Sequence, residues 1–258
     1  MLTLIAPAKT VDLKNAPRCK IKTKTEPQLL DETIVLTDIL KSKSIDQLFR
    51  ILDCSYAMAE DAKIFYDKFE KNTKAMKGKH AIALMDDFVR GVDLTTWKPK
   101  DFEFVQEHLG IISSLYGFLR PFDIIGSYLL PQDTILHTPK GRRVIEYWKG
   151  ILTEFLKKYL ESKQETVIVS LLTSVARRQI DWKQINATVY DVSFIEIAKT
   201  GNVHTTSSWR LNRLRANLIE YIAQKRINDI EDLKKFSFEG FEYSPDSSQD
   251  NTIAFTKF

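Results

Sequence analysis

An arginine on the apolar side of a helix is the first feature of this sequence with chemical consequences. In "WRLNRLRANLIEYIAQKR", Leu211, Leu214, Leu218 and Ile222 recur at the spacing of a buried helical stripe. Arg210, Arg213, Asn217 and Glu220 fall on the opposite, polar side. Arg215 falls about 40° from Leu211, inside the stripe. A guanidinium there needs a carboxylate, a wet cavity or a ligand anion, because an unpaired buried charge is costly. Two readings stand: a structural ion pair, or an arginine directed into a cleft to hold a phosphate or a carboxylate.

A second candidate is "SSLYGFLRPFD", where Gly117, Arg120 and Pro121 follow an apolar run. A helix closed by Gly and followed by Arg is either a plain corner or a place where backbone amides and a cation meet a phosphate. Lys9, in "IAPAKT", follows a short apolar run and a Pro, where a strand end delivers side chains to a site. The remaining cations come in clusters. Lys14 to Lys24 holds five basic residues and no acid, Arg142–Arg143 and Arg177–Arg178 are pairs, and Arg213 shares its helix with Arg215. Any one cluster reads as solvated surface; several together favour a basic cleft.

Other chemistries are missing. His80, His108, His137 and His204 have no metal-ligand spacing with a Cys, Asp or Glu, and the chain has no P-loop, dinucleotide fingerprint, nucleophile elbow or HExxH. Asp86 and Asp87 are adjacent acids at an expected strand end, read first as solvated and second as a metal or general-base pair. The sequence assigns no catalytic residue, no metal ligand and no cofactor.

The elements that must position these residues follow from hydrophobic period. Strands are expected at 2–6, 80–85 and 166–172, and helices at 27–41, 44–52 behind a Ser44–Gln47 capping box, and 55–69. Phe102, Val105, Leu109, Ile112 and Tyr116 predict a helix from Asp101 to Tyr116, closed by Gly117. Further helices are expected at 141–160, 209–226 and 229–235. Two hairpins are expected, around "AKTGN" and around "SPDSSQDN". Strands and helices interleave without Gly-rich phosphate loops, so the fold class is a mixed α/β sheet with surrounding helices, one domain over 1–258, rather than a doubly wound nucleotide-binding fold.

Composition agrees with an ordinary globular protein: of 258 residues, 43% are hydrophobic and 28% charged, and the net charge of +4 permits nucleic acid without demanding it. The apolar runs are far shorter than a membrane span, and the start reads as a first strand rather than a signal peptide. Cys19 and Cys54 form no CxxC and no disulfide framework, so a cytoplasmic location is expected.

Whole blocks of the chain are familiar. "LTLIAPAKT", "DFEFVQEHLGIISSLYGFLRPFD", "EYWKGIL" and "FEGFEYSPDSSQDNTIAFTKF" resemble, in order, the YaaA family of bacterial peroxide-stress-response proteins. The resemblance implies a cytoplasmic α/β protein with a positively charged cleft and a helix–hairpin–helix-like element, linked to protecting DNA from iron and peroxide damage. Placed on "SSLYGFLRPFD", that element would make Gly117 and Arg120 phosphate contacts. The chain also departs from the family pattern. Ala6 stands where the family has Ser, although Lys9 and Thr10 match. A Phe-Lys-Gly-Asp block falls on "LMDD", keeping Asp87 alone, and an Arg-x-Glu-Met element falls on "LLPQ". A Ser-x-Glu-Tyr segment falls on "TSVARR". A Lys-Lys-Ala-Arg-Gly element falls on "NRLRA", where Arg215 matches. The pattern is that of a diverged member.

The expectation is therefore a protein that binds double-stranded DNA with little sequence specificity in the peroxide stress response. Lys9, Gly117, Arg120, Arg142, Arg143, Arg177, Arg178, Arg213 and Arg215 would line its cleft. The alternative is an enzyme, intact or degenerate, acting on a nucleotide or nucleobase with Lys9, Asp87 and Arg215 as its site. A scaffold for protein partners is the third reading, and no membrane association is expected.

Overall fold

The first strand, β1 (Leu2–Ile5), is buried at all four positions, as an apolar run covered on both faces must be. The computed structural model describes residues 1–7, 10–11, 21–69, 78–83, 92–198, 203–204 and 206–257, with the backbone alone at Thr10, Val11, Val203 and His204. After β2 (Thr10–Val11) come three helices, α1 (Leu30–Lys41), α2 (Ile45–Leu52) and α3 (Tyr56–Asp67). The capping box at Ser44 forms as expected: its hydroxyl accepts from Gln47 N while the Gln47 side chain accepts from Ser44 N. A three-residue turn with Asp53 left-handed (φ 47°) joins α2 to α3, which packs against it and opens on the Ser55 cap. The strand expected at 80–85 is shorter: β3 (Lys79–His80) leads into a 3-10 turn over Ala81–Ala83, and the rest lies outside the described residues.

The next element corrects the sequence reading. Helix α4 runs only over Pro99–His108, and the chain then continues as β4 (Leu109–Ser113), turns, and returns as β5 (Gly117–Leu119). The expected helix to Tyr116, and with it a helix–hairpin–helix element on this stretch, gives way to a β-hairpin. The cause lies in burial: all five β4 residues are enclosed, so apolar side chains point both ways and no periodicity distinguishes helix from strand. Gly110 permits the close approach, since a Cβ there would stand 2.5 Å from the Phe118 ring and 2.8 Å from Leu4.

Short strands β6 (Ile124–Ile125), β7 (Tyr128–Leu129), β8 (Ile135–Thr138) and β9 (Gly141–Arg143) precede the long helix α5 (Val144–Lys163). Then follow β10 (Val167–Ser170), the short helix α6 (Ser174–Arg177), a 3-10 turn over Trp182–Gln184, β11 (Thr188–Ile197) and β12 (Val203–His204). Helix α7 (Ser208–Lys225), α8 (Ile230–Leu233), β13 (Ser237–Phe238), β14 (Phe241–Tyr243) and β15 (Thr252–Lys257) complete the chain. Both expected hairpins form, β11 with β12 and β14 with β15.

The main sheet has the order β13-β14-β15-β11-β10-β1-β4-β5, with β12 beside β11. Its middle, from β15 to β4, is parallel, and its edges are antiparallel. This is the mixed α/β sheet that the interleaved pattern implies. The chain leaves β1 for β4 on one side and returns to β10 on the other, so the order reverses beside β1, and the crevice beyond the carboxyl ends of β1 and β10 is where such sheets bind ligands. The segment from Thr173 to Lys183 lies immediately after β10.

Candidate functional site

The cations singled out in the sequence have four different fates. Lys9 lies outside the described residues, as do Asp86 and Asp87. Arg120, Arg177 and Arg213 are held by carboxylates. Arg142, Arg143 and Arg178 are exposed without an ion pair among the described residues. Arg215 is half-buried, also without one.

Arg120 and Gly117 belong to a tightly tied corner. The Arg120 guanidinium donates to Asp123 Oδ1 (3.0 Å) and to the Glu26 carbonyl (3.3 Å), while the Arg120 amide donates to Asp123 Oδ2 (2.8 Å). Thr25 Oγ1 donates to the same carboxylate at 2.6 Å, bringing the 25–26 segment against the corner. Burial pushes the Asp123 carboxyl above the ordinary value of 3.8, and the bonds from Arg120 and Thr25 only partly oppose it. The folded carboxyl therefore holds its proton more tightly than the unfolded one. The stability contributed by that proton is complete below 3.8 and is lost as pH rises through the raised value. The stability difference between wild type and Asp123→Asn is accordingly expected to shrink from pH 3 upward, read by urea denaturation at successive pH values. A difference that grows with pH would mean that the Arg120 pair dominates the titration.

Arg213 forms an ion pair with Glu239 (2.7 Å) and lies between the Trp209 and Phe238 rings, 5.8 and 5.5 Å from their centroids. Arg177 pairs with Asp191, donates to Ser170 Oγ, and lies 4.6 Å over the Trp182 ring. Both look free in the sequence because their carboxylates come from further along the chain, Asp191 from β11 and Glu239 from the β13–β14 turn.

One cavity gathers unpaired cations. About 580 Å³ in volume, it lies between the first turns of α5, helix α6 and the 3-10 turn. Ile145, Ile180 and Trp182 supply its apolar lining, and Lys149, Arg177, Arg178 and Lys183 face Glu146 and Asp181 across it. Local bonds hold these pieces in register. Thr173 caps α6 through Ala176 N, Trp182 Nε1 donates to the Arg177 carbonyl (2.8 Å), and the Asp181 amide donates to Thr153 Oγ1 on α5 (2.9 Å). A hydrogen bond from Gln184 keeps Asp181 below the ordinary carboxylate value, helped by its contact with the Lys183 amide and by the charges of Lys149 and Lys183. Glu146 accepts from the Arg142 amide (2.7 Å), which places the β9 arginine pair at the same end of α5. With Arg177 already paired to Asp191, three cations face two carboxylates, and the cavity stays net positive, suited to an anion.

The structure thus joins Arg177 and Arg178 to Lys149 and Lys183, two lysines the sequence reading did not single out, while Arg120, Arg213 and Arg215 do not line the cavity. Lys149 carries only a faint signal, an exposed lysine one turn beyond the buried Ile145. Among the described residues no group of three or more His, Cys, Asp and Glu is arranged to hold a metal. No described helix is long and apolar enough to cross a membrane.

Comparison with known proteins adds a frame. The family described as peroxide stress protein YaaA matches residues 1–247. A UPF0246 protein of Legionella pneumophila (strain Corby) is 30% identical over 259 residues, covering 100% of this chain and 99% of the relative. A UPF0246 protein of Bordetella pertussis is 30% identical over 258 residues, with the same coverage. One from Francisella tularensis is 28% identical over 262 residues, covering both chains fully.

Proposed function

The chain belongs to the peroxide stress protein YaaA family, and from that premise we propose that it serves the stress response by binding duplex DNA with little sequence preference. The observation that carries this reading is the α5–α6 cavity, where Lys149, Arg178 and Lys183 form no ion pair among the described residues. Exposed Arg142 and Arg143 stand at the adjoining end of α5. The cavity is too small for a duplex but large enough for one phosphate group and its sugar, so the duplex lies across it with the arginine pair on the neighbouring phosphates. Such contacts position a backbone and carry no sequence information. Arg120 and Arg213, already neutralised by Asp123 and Glu239, add little. On this reading the helix–hairpin–helix-like element would fall to α2 and α3, two helices joined by a three-residue turn, since β4 and β5 form a β-hairpin.

The test is fluorescence anisotropy with unrelated labelled duplexes at several salt concentrations. Five phosphate contacts give a log–log salt slope of about −4.5, and unrelated sequences bind alike. A slope near zero, or strong preference for one sequence, overturns the reading. A second reading, a nucleotide or nucleobase ligand, rests on the cavity volume, which falls within the range of small-molecule sites, and on the Trp182 ring in its wall. Thermal stabilisation by one member of a nucleotide and base panel, without DNA binding, would favour it.

A further inference from the structure

Among the described residues, the half-buried arginines follow a rule with one exception. Arg120 pairs with Asp123, Arg177 with Asp191, Arg210 with Glu196 and Arg213 with Glu239. Arg215 is as enclosed as these and lies on the same helix as two of them, yet no carboxylate stands within ion-pair distance of it among the described residues. Its Nε is fully enclosed and has no hydrogen-bond partner, and neither Nη is in an ion pair among the described residues. Of the neighbours one turn away, Leu211, Leu218 and Ile219 are apolar, and Asn212, the polar one, leaves the Arg215 Nε without a partner. Burial correspondingly depresses the guanidinium below its ordinary value.

A packed stem, an enclosed Nε and a forked end without an ion pair among the described residues suit an arginine that takes a ligand from outside the chain. We propose that Arg215 anchors an oxyanion, the phosphate or carboxylate group of a small ligand, through its Nη groups, at a place distinct from the α5–α6 cavity. A guanidinium presents planar donors that match either group, and removal from water strengthens the attraction. An internal partner would have made Arg215 a stabilising pair. With none among the described residues, the desolvation cost of the cation is left for the ligand to offset on binding. This inference does not depend on DNA binding at the cavity.

The experiment uses the full chain carrying Lys149→Gln, Arg178→Gln and Lys183→Gln, so that the cavity does not contribute, with and without Arg215→Met. In buffer free of oxyanions, the methionine variant is expected to melt at or above its parent. Inorganic phosphate or acetate then raises the melting temperature of the parent, by about 5 °C at a hundredfold excess over Kd, and leaves the methionine variant unmoved. A response to phosphate alone identifies a phosphoryl ligand, and a response to acetate alone a carboxylate; either supports the anchor. No response to either overturns it. A methionine variant that melts well below its parent without anions also overturns it, because that is the signature of a broken internal pair. Should the methionine variant fail to fold, the arginine Nε–H and Nη resonances of the parent decide: perturbation of the Arg215 signals by phosphate or acetate supports the anchor, and their constancy overturns it.

Discussion

Replacing Gly117 by alanine is expected to lower the unfolding free energy by roughly 2–5 kcal/mol, combining a left-handed backbone penalty with overpacking. Gly117 sits at φ 70°, and a Cβ there would stand 2.5 and 2.8 Å from the Trp148 ring and 2.9 Å from Leu29. The Trp148 ring has no room to give, whereas the Leu29 methyl can shift. Trp148 is fully buried and its Nε1 donates to the Ser114 carbonyl at 2.6 Å, which fixes the ring against the hairpin turn. Urea denaturation checks the magnitude. Shortening the ring in a Trp148→Leu background is expected to recover the overpacking part of the loss and leave the backbone part. The same variant separates two roles for this residue. If Gly117 seats the hairpin, the folded variant still binds DNA with the wild-type salt slope. A stability loss below about 0.5 kcal/mol, within the range of an ordinary surface substitution, together with lost DNA binding would instead make Gly117 a phosphate contact.

The contrast between Gly117 and Arg215 explains how much of the molecule is legible in its sequence. Arg215 is conspicuous because a helix has a period, and a cation inside an apolar stripe breaks it; the structure returns a half-buried guanidinium with no ion pair among the described residues. Helices α1, α2, α3, α5 and α7 are legible for the same reason, with Ser44 and Gln47 marking a start. The β11–β12 and β14–β15 hairpins are legible from their turn residues. Around Gly117 no period exists, since β4 and β5 are apolar on both faces, and chance spacing of Phe102, Val105, Leu109 and Ile112 imitates a helix. The strand is decided instead by its parallel pairing with β1, more than a hundred residues away.

The candidate site was harder to read, because charge partners are tertiary facts. Arg177 and Arg213 look identical in sequence to Arg178, and only Asp191 and Glu239 distinguish them. Lys149 and Lys183 meet because the Asp181 amide is tied to Thr153 on α5, a contact no local pattern announces.

That geometry fixes the second large effect. Combining Lys149→Gln, Arg178→Gln and Lys183→Gln is expected to weaken duplex binding on the order of a hundredfold at low salt and to flatten the log–log salt slope by about 2.7, three contacts at 0.9 each. Stability is expected to change little, because all three side chains are exposed and none is in an ion pair among the described residues. Charge neutralisation within the same cavity runs the other way: Glu146→Gln removes a carboxylate that lines it beside the cations and is expected to tighten binding. The control is Arg213→Gln, which breaks the Glu239 pair and lowers stability while leaving the salt slope untouched. The slope is the decisive quantity, since it counts displaced counterions rather than total affinity. An unchanged slope in the triple variant would place the phosphate contacts elsewhere, with Arg142 and Arg143 next to be replaced. An unchanged slope in both sets would leave the cavity to the nucleotide reading.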